Sequence, residues 1–292
     1  MKILQTFWSR PVNNSMSVRY CGGWLEKKYH YMSWCLSCLL LKQWYPVVEL
    51  VTDEEGGRVL LDELGLPYTG VQTGLQEVER FPDDLWCLAK LYTCSIQQEP
   101  FLHVDGDCFI TEPLCRDIEG KGLVAEKETV YQPVFLQLFL QYLGSNFGHP
   151  AAQGNGDLPV GKGYDHRIFG GTDIACINGF ARQVLHVVDA NLAFVQAGID
   201  LQTDDTSLHY NNIHPFEYFN TLIESWFFAS VAEKHGKEVA LARPQVPAES
   251  YLHPTDMQKR HRNSCRLLEH RLRHMFPDQY YKLMAALKAG RI

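Results

Sequence analysis

Apolar residues in the first part of the chain form short runs that alternate with longer amphipathic stretches. Continuous apolar runs of about four to eight residues predict buried strands, and longer periodic stretches predict helices. The predicted strands are 2–8, 47–52 and the run that follows Pro100, and the predicted helices are 23–44, 57–64 and 83–96, the last with Asp83 or Asp84 as its N-cap. This alternation favours an α/β fold with an open, mainly parallel central sheet flanked by helices.

The pattern is less regular in the second part of the chain. A strand is predicted at 123–126, helices at 134–143, 180–197 and 217–235, and a long loop rich in glycine and proline at 144–163, interpreted as a lid over a site. The pair Gly170-Gly171 is predicted to lead into a strand that reaches Asn178. We predict one domain over 1–254 and a basic, helical extension over 255–292 that packs on it.

Composition narrows the classes of protein that fit the chain. The 292 residues are 46% hydrophobic, enough for a large core, and a net charge of −7 provides no overall basic field for nucleic acid. No apolar run approaches the roughly 18 residues of a membrane span, and the first residues lack the features of a signal peptide. Nine cysteines without framework spacing suit a reducing compartment. We therefore expect a cytoplasmic protein with no nucleic-acid partner and no transmembrane segment.

The triplet Asp105-Gly106-Asp107 is the motif most typical of a functional site. Because Asp and Gly are turn residues, a solvated turn is the alternative that the triplet alone favours. The apolar run before it instead indicates the carboxyl end of a central strand, where ligands bind in open α/β sheets. Two carboxylates attract a hard cation such as Mg²⁺ or Mn²⁺, whose other positions remain available to phosphate oxygens. The triplet therefore predicts a metal–diphosphate site.

Four segments form a pattern in their order along the chain. They are the opening strand and helix that lead to Leu50-Val51-Thr52-Asp53, the helix Trp86–Tyr92, the triplet, and Phe169-Gly170-Gly171-Thr172 before a helix with Ile223-Glu224-Ser225-Trp226. This pattern resembles the GT-A-fold, nucleotide-sugar-dependent glycosyltransferases, and the triplet is similar to their DxD motif. The resemblance implies a GT-A-like (Rossmann-like) sheet, a nucleotide-sugar donor and Mn²⁺ or Mg²⁺ as cofactor. The acceptor, whether glycan, lipid-linked or protein, stays open.

The resemblance implies metal and diphosphate ligands. Asp105 and Asp107 are expected to bind the metal, and Asp105 also to face the donor ribose. His253 resembles the histidine that completes metal coordination in part of the family, with an ordinary hydrogen-bonded histidine as the alternative. Lys90 is expected to reach the donor sugar or phosphates, and Lys259 to close over the diphosphate. Solvated helix lysines are the alternative for both.

Further residues are assigned to the donor and to catalysis. Asp53 is expected to contact the nucleobase or ribose, or to cap the next helix. Gly170 and Gly171 would let the backbone approach the sugar, or serve a bulge or turn. Asp173 is expected to bind a sugar hydroxyl within the catalytic set. Glu224 is expected to be the catalytic base, since an apolar helix would raise its pKa, or else to pair with a basic partner.

We therefore expect a metal-dependent glycosyltransferase that moves a sugar from a nucleotide-sugar donor to a hydroxyl-bearing acceptor. Two other functions remain open. A nucleotidyltransferase usually has a glycine-rich, basic phosphate loop after its first strand, where this chain has Ser9-Arg10-Pro11-Val12-Asn13-Asn14. A non-catalytic protein on the same fold would bind the nucleotide sugar without turning it over.

Overall fold

A seven-stranded sheet organises the part of the chain that the computed structural model describes. The described residues are 1–17, 19–114, 116–130, 161–192, 219–220, 222–243 and 251–292. Their strands are β1 (Lys2–Phe7), β2 (Val48–Thr52), β3 (Gly70–Thr73), β4 (Phe101–Val104), β5 (Phe109–Ile110), β6 (Leu123–Val130), β7 (Lys162–Gly171), β8 (Val239–Leu241) and β9 (Tyr251–Leu252).

The central sheet has the strand order β3-β2-β1-β4-β7-β6-β8. Strands β1 to β4 pair in parallel, β7 is antiparallel to both β4 and β6, and β8 is parallel to β6. Strand β4 lies in the middle and all four of its residues are buried, as expected for a strand covered on both faces. The predicted α/β class with a mainly parallel central sheet is therefore confirmed.

Helices cover both faces of this sheet. They are α1 (Ser9–Asn13), α2 (Lys27–Trp44), α3 (Glu54–Gly57), α4 (Cys87–Ser95), α5 (Arg116–Glu119), α6 (Ile174–Ala190), α7 (Phe227–Lys234), α8 (Asp256–Lys259), α9 (Arg262–Met275) and α10 (Pro277–Lys288). A π-helical turn, Arg58–Glu63, continues α3, and another, Leu222–Trp226, precedes α7. Successive residues of a strand point to opposite faces. Accordingly, Leu50 joins the apolar cluster of α2, α9 and α10, whereas Val51 joins that of α4, α6 and α7.

The start of helix α4 differs from the prediction. The helix begins at Cys87, and neither Asp83 nor Asp84 is its N-cap. The side chains of Arg10 and Asn14 donate hydrogen bonds to the Asp83 carboxylate, so it is engaged by α1 and the residue after it rather than by the α4 backbone. A tertiary contact therefore overrides the local capping signal.

The predicted strand after the glycine pair is also wrong. Strand β7 ends at Gly171, and helix α6 begins at Ile174 because the Asp173 carboxylate accepts a hydrogen bond from the Cys176 backbone N–H. The predicted helix 134–143 lies outside the described residues, as does the predicted loop except for 161–163, where β7 begins.

The C-terminal helices pack against α2. Leu268, Leu272 and Leu283 are buried in one apolar cluster with α2 residues such as Leu36 and Leu40. The tail is helical as predicted, and the division at 254/255 stays a prediction. Among the described residues, none of the helices combines the length and hydrophobicity needed to traverse a bilayer.

Candidate functional site

The triplet Asp105-Gly106-Asp107 forms the turn between β4 and β5. The Cys108 backbone N–H donates to the Asp105 carbonyl at 3.0 Å, and the Asp105 N–H donates to the Arg167 carbonyl of β7, also at 3.0 Å. The backbone therefore makes the turn that the residue types favour, and it does so at the carboxyl end of a buried central strand. The triplet is therefore both a turn and the carboxyl end of a buried strand, and the two alternatives do not exclude each other.

Helix α2 fixes this turn from one side. Ser33 Oγ donates to the Gly106 carbonyl at 2.7 Å, and Ser37 Oγ, one helical turn later, lies 3.4 Å from the Asp105 carbonyl that accepts its proton. A Cβ atom added to Gly106 would lie 2.4 Å from the Trp34 ring, closer than side-chain atoms can approach. Glycine is therefore needed between the two aspartates because the turn packs directly on Trp34.

Lys90 of α4 bridges two carboxylates. Its Nζ lies 2.9 Å from Asp105 Oδ1 and 3.0 Å from Glu224 Oε1, and it donates to the His166 carbonyl at 3.3 Å. Burial opposes the charge of the ammonium group, but Asp105 and Glu224 outweigh this effect and hold the pKa of Lys90 above its usual value. Lys90 is therefore a buried, charged residue in contact with Asp105 and Glu224, unlike the solvated lysine of the alternative, and its reach to the donor stays a prediction.

Asp105 and Glu224 share this single ammonium group. Burial raises the pKa of both carboxyl groups, and the attraction of Lys90 only partly offsets it. Glu224 lies in the π-helical turn Leu222–Trp226, a distortion that is frequent at functional sites. The alternative for Glu224, pairing with a basic partner, is observed. The partner is Lys90, which also contacts Asp105 and so brings Glu224 close to the triplet.

The second aspartate has different partners. Asp107 Oδ1 lies 3.1 Å from His253 Nε2, and Asp107 Oδ2 lies 2.5 Å from Lys259 Nζ. Burial alone would raise the pKa of Asp107, but Lys259 and His253 outweigh it, so the pKa lies well below its usual range. The pairing of β5 with β9, which sets Phe109 opposite Leu252, brings these distant residues together.

Asp107 and His253 fit a divalent cation. Together with the Cys108 thiol they offer ligand atoms within 4.8 Å of one another. Burial lowers the pKa of His253, so its imidazole is neutral, as a metal ligand must be, and His253 Nδ1 has no hydrogen-bond partner among the described residues. Burial raises the pKa of Cys108 well above its usual value, which keeps the thiol protonated. The Asp107 carboxylate suits Mn²⁺ or Mg²⁺, whereas the His253 imidazole suits a transition metal, and Asp105 lies outside this group of ligand atoms.

Two pockets meet at the triplet. The first, here called the aromatic pocket, has these ring-bearing residues in its lining: Phe7, Trp8, Trp24, His30, Trp34, Trp86 and His103. The second, here called the polar pocket, has these polar residues in its lining: Lys127, Tyr164, Asp165, His166, Arg167, Glu224, His253 and Lys259. Both pockets also contact Arg19, Lys90, Asp105 and Asp107. One end of the site is thus aromatic and the other is charged.

Asp53 has a capping role. Its carboxylate accepts hydrogen bonds from the Gly56 N–H at 2.7 Å, from the Ser9 N–H at 2.9 Å and from Ser9 Oγ at 2.8 Å. It is buried between α1 and α3 and does not line either pocket. The helix-capping alternative is therefore the one that the structure contains.

Gly170, Gly171 and Asp173 are not brought to the triplet. Gly170 pairs with Leu102, three residues before Asp105, which is about 10 Å along a strand. A Cβ on Gly170 would lie 2.2 Å from the Phe101 carbonyl, so the glycine permits close approach of strands and not of a sugar. Asp173 caps α6 and pairs with Lys237 at 2.8 Å.

The structure adds pocket residues that sequence reasoning missed. His103 lies two positions before Asp105, and the period of two along a strand was a signal that both share a face. Its Nε2 lies 2.9 Å from Thr6 Oγ1. Asp165 and His166 belong to β7, for which no strand was predicted, so no strand period was available to place them.

Comparison with known proteins gives a family and a set of distant structures. A family model described as "Family of unknown function (DUF6734)" matches residues 1–286. No curated protein matches the chain. The glycosyltransferase GlyE of Streptococcus pneumoniae TIGR4 is similar over 99% of this chain and 63% of its own, at 11% identity and a TM-score of 0.41. Mouse xyloside xylosyltransferase 1, apo form, is similar over 82% of this chain and 84% of its own, at 12% identity and a TM-score of 0.37. The chain thus spans less than two thirds of the GlyE structure.

Proposed function

We propose that this chain, which belongs to the family of unknown function DUF6734, is a metal-dependent glycosyltransferase that uses a nucleotide-sugar donor and a hydroxyl-bearing acceptor. The observation that carries the proposal is the convergence of Asp105, Asp107, Lys90 and Glu224 where the aromatic and polar pockets meet. A nucleotide sugar has an aromatic base, a diphosphate and a sugar. The aromatic pocket, the carboxylate cluster and the polar pocket offer complementary surroundings for these three parts.

The aromatic pocket suits the nucleobase. Stacking of a base on aromatic side chains is favourable whatever the base, because every base has a π-face. The indole N–H groups of Trp8 and Trp86 have no hydrogen-bond partner among the described residues. Buried indole N–H groups usually find an acceptor, and the carbonyl oxygens of a base are acceptors of the right kind.

The carboxylate cluster suits the diphosphate. Asp105, Asp107 and His253 would hold Mn²⁺ or Mg²⁺, which when bound stabilises the charge that develops on a nucleoside diphosphate leaving group. Lys90 holds the Asp105 carboxylate in place through its contact at 2.9 Å and partly offsets the effect of burial on its pKa. Arg19, at the junction of both pockets, adds a cation beside the same position.

Glu224 is proposed as the catalytic base. Its raised pKa makes it a stronger base than an exposed glutamate, and the Lys90 contact fixes the orientation of its carboxylate in the polar pocket. In the transfer, Glu224 accepts the proton of the acceptor hydroxyl. That oxygen forms the new bond to the anomeric carbon, and the bond from this carbon to the diphosphate oxygen breaks.

A panel of UDP-, GDP-, CMP- and dTDP-sugars, each with and without Mn²⁺, tests the proposal. We expect one class to raise the melting temperature of the protein in a metal-dependent way and to release its nucleotide, a nucleoside diphosphate from UDP-, GDP- and dTDP-sugars or CMP from a CMP-sugar, detected by chromatography. Glu224→Gln should keep the thermal shift and lower the rate of release by about 10² to 10⁴, the usual contribution of a general base.

The other outcomes separate the alternatives. A thermal shift with no turnover in the unmodified protein would support a non-catalytic nucleotide-sugar-binding protein. Release of inorganic pyrophosphate from a nucleoside triphosphate would support a nucleotidyltransferase. No thermal shift with any nucleotide sugar would contradict the transferase and the binding protein alike.

A further inference from the structure

Lys259 places an ammonium group on the carboxylate that a metal would need. Its Nζ lies 2.5 Å from Asp107 Oδ2, and its side chain is 2% exposed. The other oxygen of this carboxylate, Oδ1, lies 3.1 Å from His253 Nε2. Asp107 is thus already paired with a cation that belongs to the chain itself.

Two hydrogen bonds hold the backbone of Lys259. Helix α8 ends at Lys259, whose N–H donates to the Thr255 carbonyl at 2.9 Å. Cys265 Sγ donates to the Lys259 carbonyl at 3.2 Å, and Cys265 is itself buried in the apolar cluster of α2 and α9. The ammonium group, on a flexible four-carbon stem, is therefore the part of Lys259 that is able to change partner.

The charged side chains around the triplet nearly balance one another, which leaves little attraction for a divalent cation. Asp105, Asp107 and Glu224 supply three carboxylates, and Lys90 and Lys259 supply two ammonium groups in contact with them. His253 is neutral. A divalent cation bound to Asp107 would lie beside the Lys259 ammonium, and two like charges about 4 Å apart repel each other strongly in a buried site.

We propose that Lys259 is an internal counter-ion that competes with the divalent cation for Asp107, so that metal binding requires the ammonium group to leave this carboxylate. The inference rests on the proposed function for its assignment of a metal to Asp107. A diphosphate is a suitable new partner for the released ammonium, because a lysine binds phosphate as a compact point charge. The metal and the nucleotide then bind tightly together, and the metal alone binds weakly.

Titration with Mn²⁺ alone, read from the electron paramagnetic resonance signal of the free ion, tests this inference. Lys259→Gln should bind Mn²⁺ about tenfold or more tightly than the unmodified protein, because the repulsion is removed. Lys259→Arg, which keeps the charge, should stay close to the unmodified protein. The gain should be absent from the double variant Lys259→Gln with Asp107→Asn.

Lys127→Gln is the matched control. Lys127 also lines the polar pocket, with Nζ 4.0 Å from Asp165, so its loss removes one positive charge from the same region without freeing Asp107. An equal gain in this variant, a gain that survives Asp107→Asn, or no Mn²⁺ binding in Lys259→Gln would each overturn the inference. If Lys259→Gln does not fold, Lys259→Met, which preserves the buried stem, is titrated instead. Because no nucleotide sugar is present, the result stands or fails separately from the transferase activity.

Discussion

At the scale of single residues, a buried carboxyl group next to the candidate site has a raised pKa. Glu126 of β6 is 1% exposed, and its carboxylate lies 3.6 Å from Arg167 and 3.8 Å from Arg243. Burial, and then the nearby Asp165, raise the pKa of Glu126 to about 7 despite both guanidinium groups. Arg167 is also the residue whose carbonyl accepts the Asp105 N–H, so this charged group adjoins the candidate site.

Glu126 should make the protein less stable as the pH rises. A carboxyl with a pKa near 4.5 when unfolded and about 7 when folded favours the folded state most below pH 4.5, and this contribution is lost as the pH rises through 7. Glu126→Gln removes it, so the difference in unfolding free energy between variant and unmodified protein should change by up to about 3 kcal/mol from pH 4.5 to 8. Urea unfolding of both proteins across this pH range measures the difference.

Glu128→Gln is the control for this pH series. Glu128 follows two residues later on β6, is 44% exposed and pairs with Lys162 at 2.8 Å. Surface substitutions of this kind change stability by about 0.5 kcal/mol or less. Parallel pH profiles for Glu126→Gln and the unmodified protein would show that Glu126 does not titrate in this range.

At the scale of elements, the site depends on helix α2 as much as on the strand that precedes it. Residues on one face of this helix support the triplet: Ser33 and Ser37 donate to its carbonyls, and Trp34 packs on Gly106. The distance between the two carboxylates therefore depends on how closely the turn and the helix pack.

Gly106→Ala should disturb this packing. The added methyl group would overlap the Trp34 ring, and overpacking of a core contact lowers the free energy of unfolding by about 1–3 kcal/mol. Gly120→Ala is the control, since a Cβ there has no atom within 4 Å. Chemical denaturation of both variants gives the comparison, and equal stability would mean that the turn moves away from Trp34 without loss.

Elements explain which parts of the site the sequence could predict. Asp105 and Asp107 follow a buried strand in the chain, so an apolar run and two charges were enough to place them. His253 and Lys259 were assigned through the family resemblance, and the geometry that joins them to Asp107 comes from the β5–β9 pair, which no local pattern encodes. Local signals also failed where distant residues intervene, as where Arg10 binds Asp83.

At the scale of the whole molecule, the C-terminal helices share a core with α2. Leu272 of α9 is completely buried in this cluster, whereas Leu267 is 47% exposed. If 255–292 is an extension that packs on the rest of the chain, its buried residues contribute to the same free energy of unfolding as the buried residues of the rest.

Leu272→Ala tests this arrangement. We expect its unfolding free energy to fall by about 2–5 kcal/mol because of the cavity, and Leu267→Ala to change it by about 0.5 kcal/mol or less. Circular dichroism and tryptophan fluorescence should report the same shifted transition, as in a two-state protein. A separate early loss of helix, with unchanged fluorescence, would indicate that the tail unfolds independently.

The pairing of β5 with β9 joins residues that are synthesised at different times. Asp107 and His253 are 146 positions apart in the chain, and Lys259 comes later still. A chain is synthesised from its N-terminus, so the aspartates leave the ribosome long before their partners. The candidate cation site therefore forms only after residue 253 has been synthesised, and a chain that stops before this residue cannot assemble it.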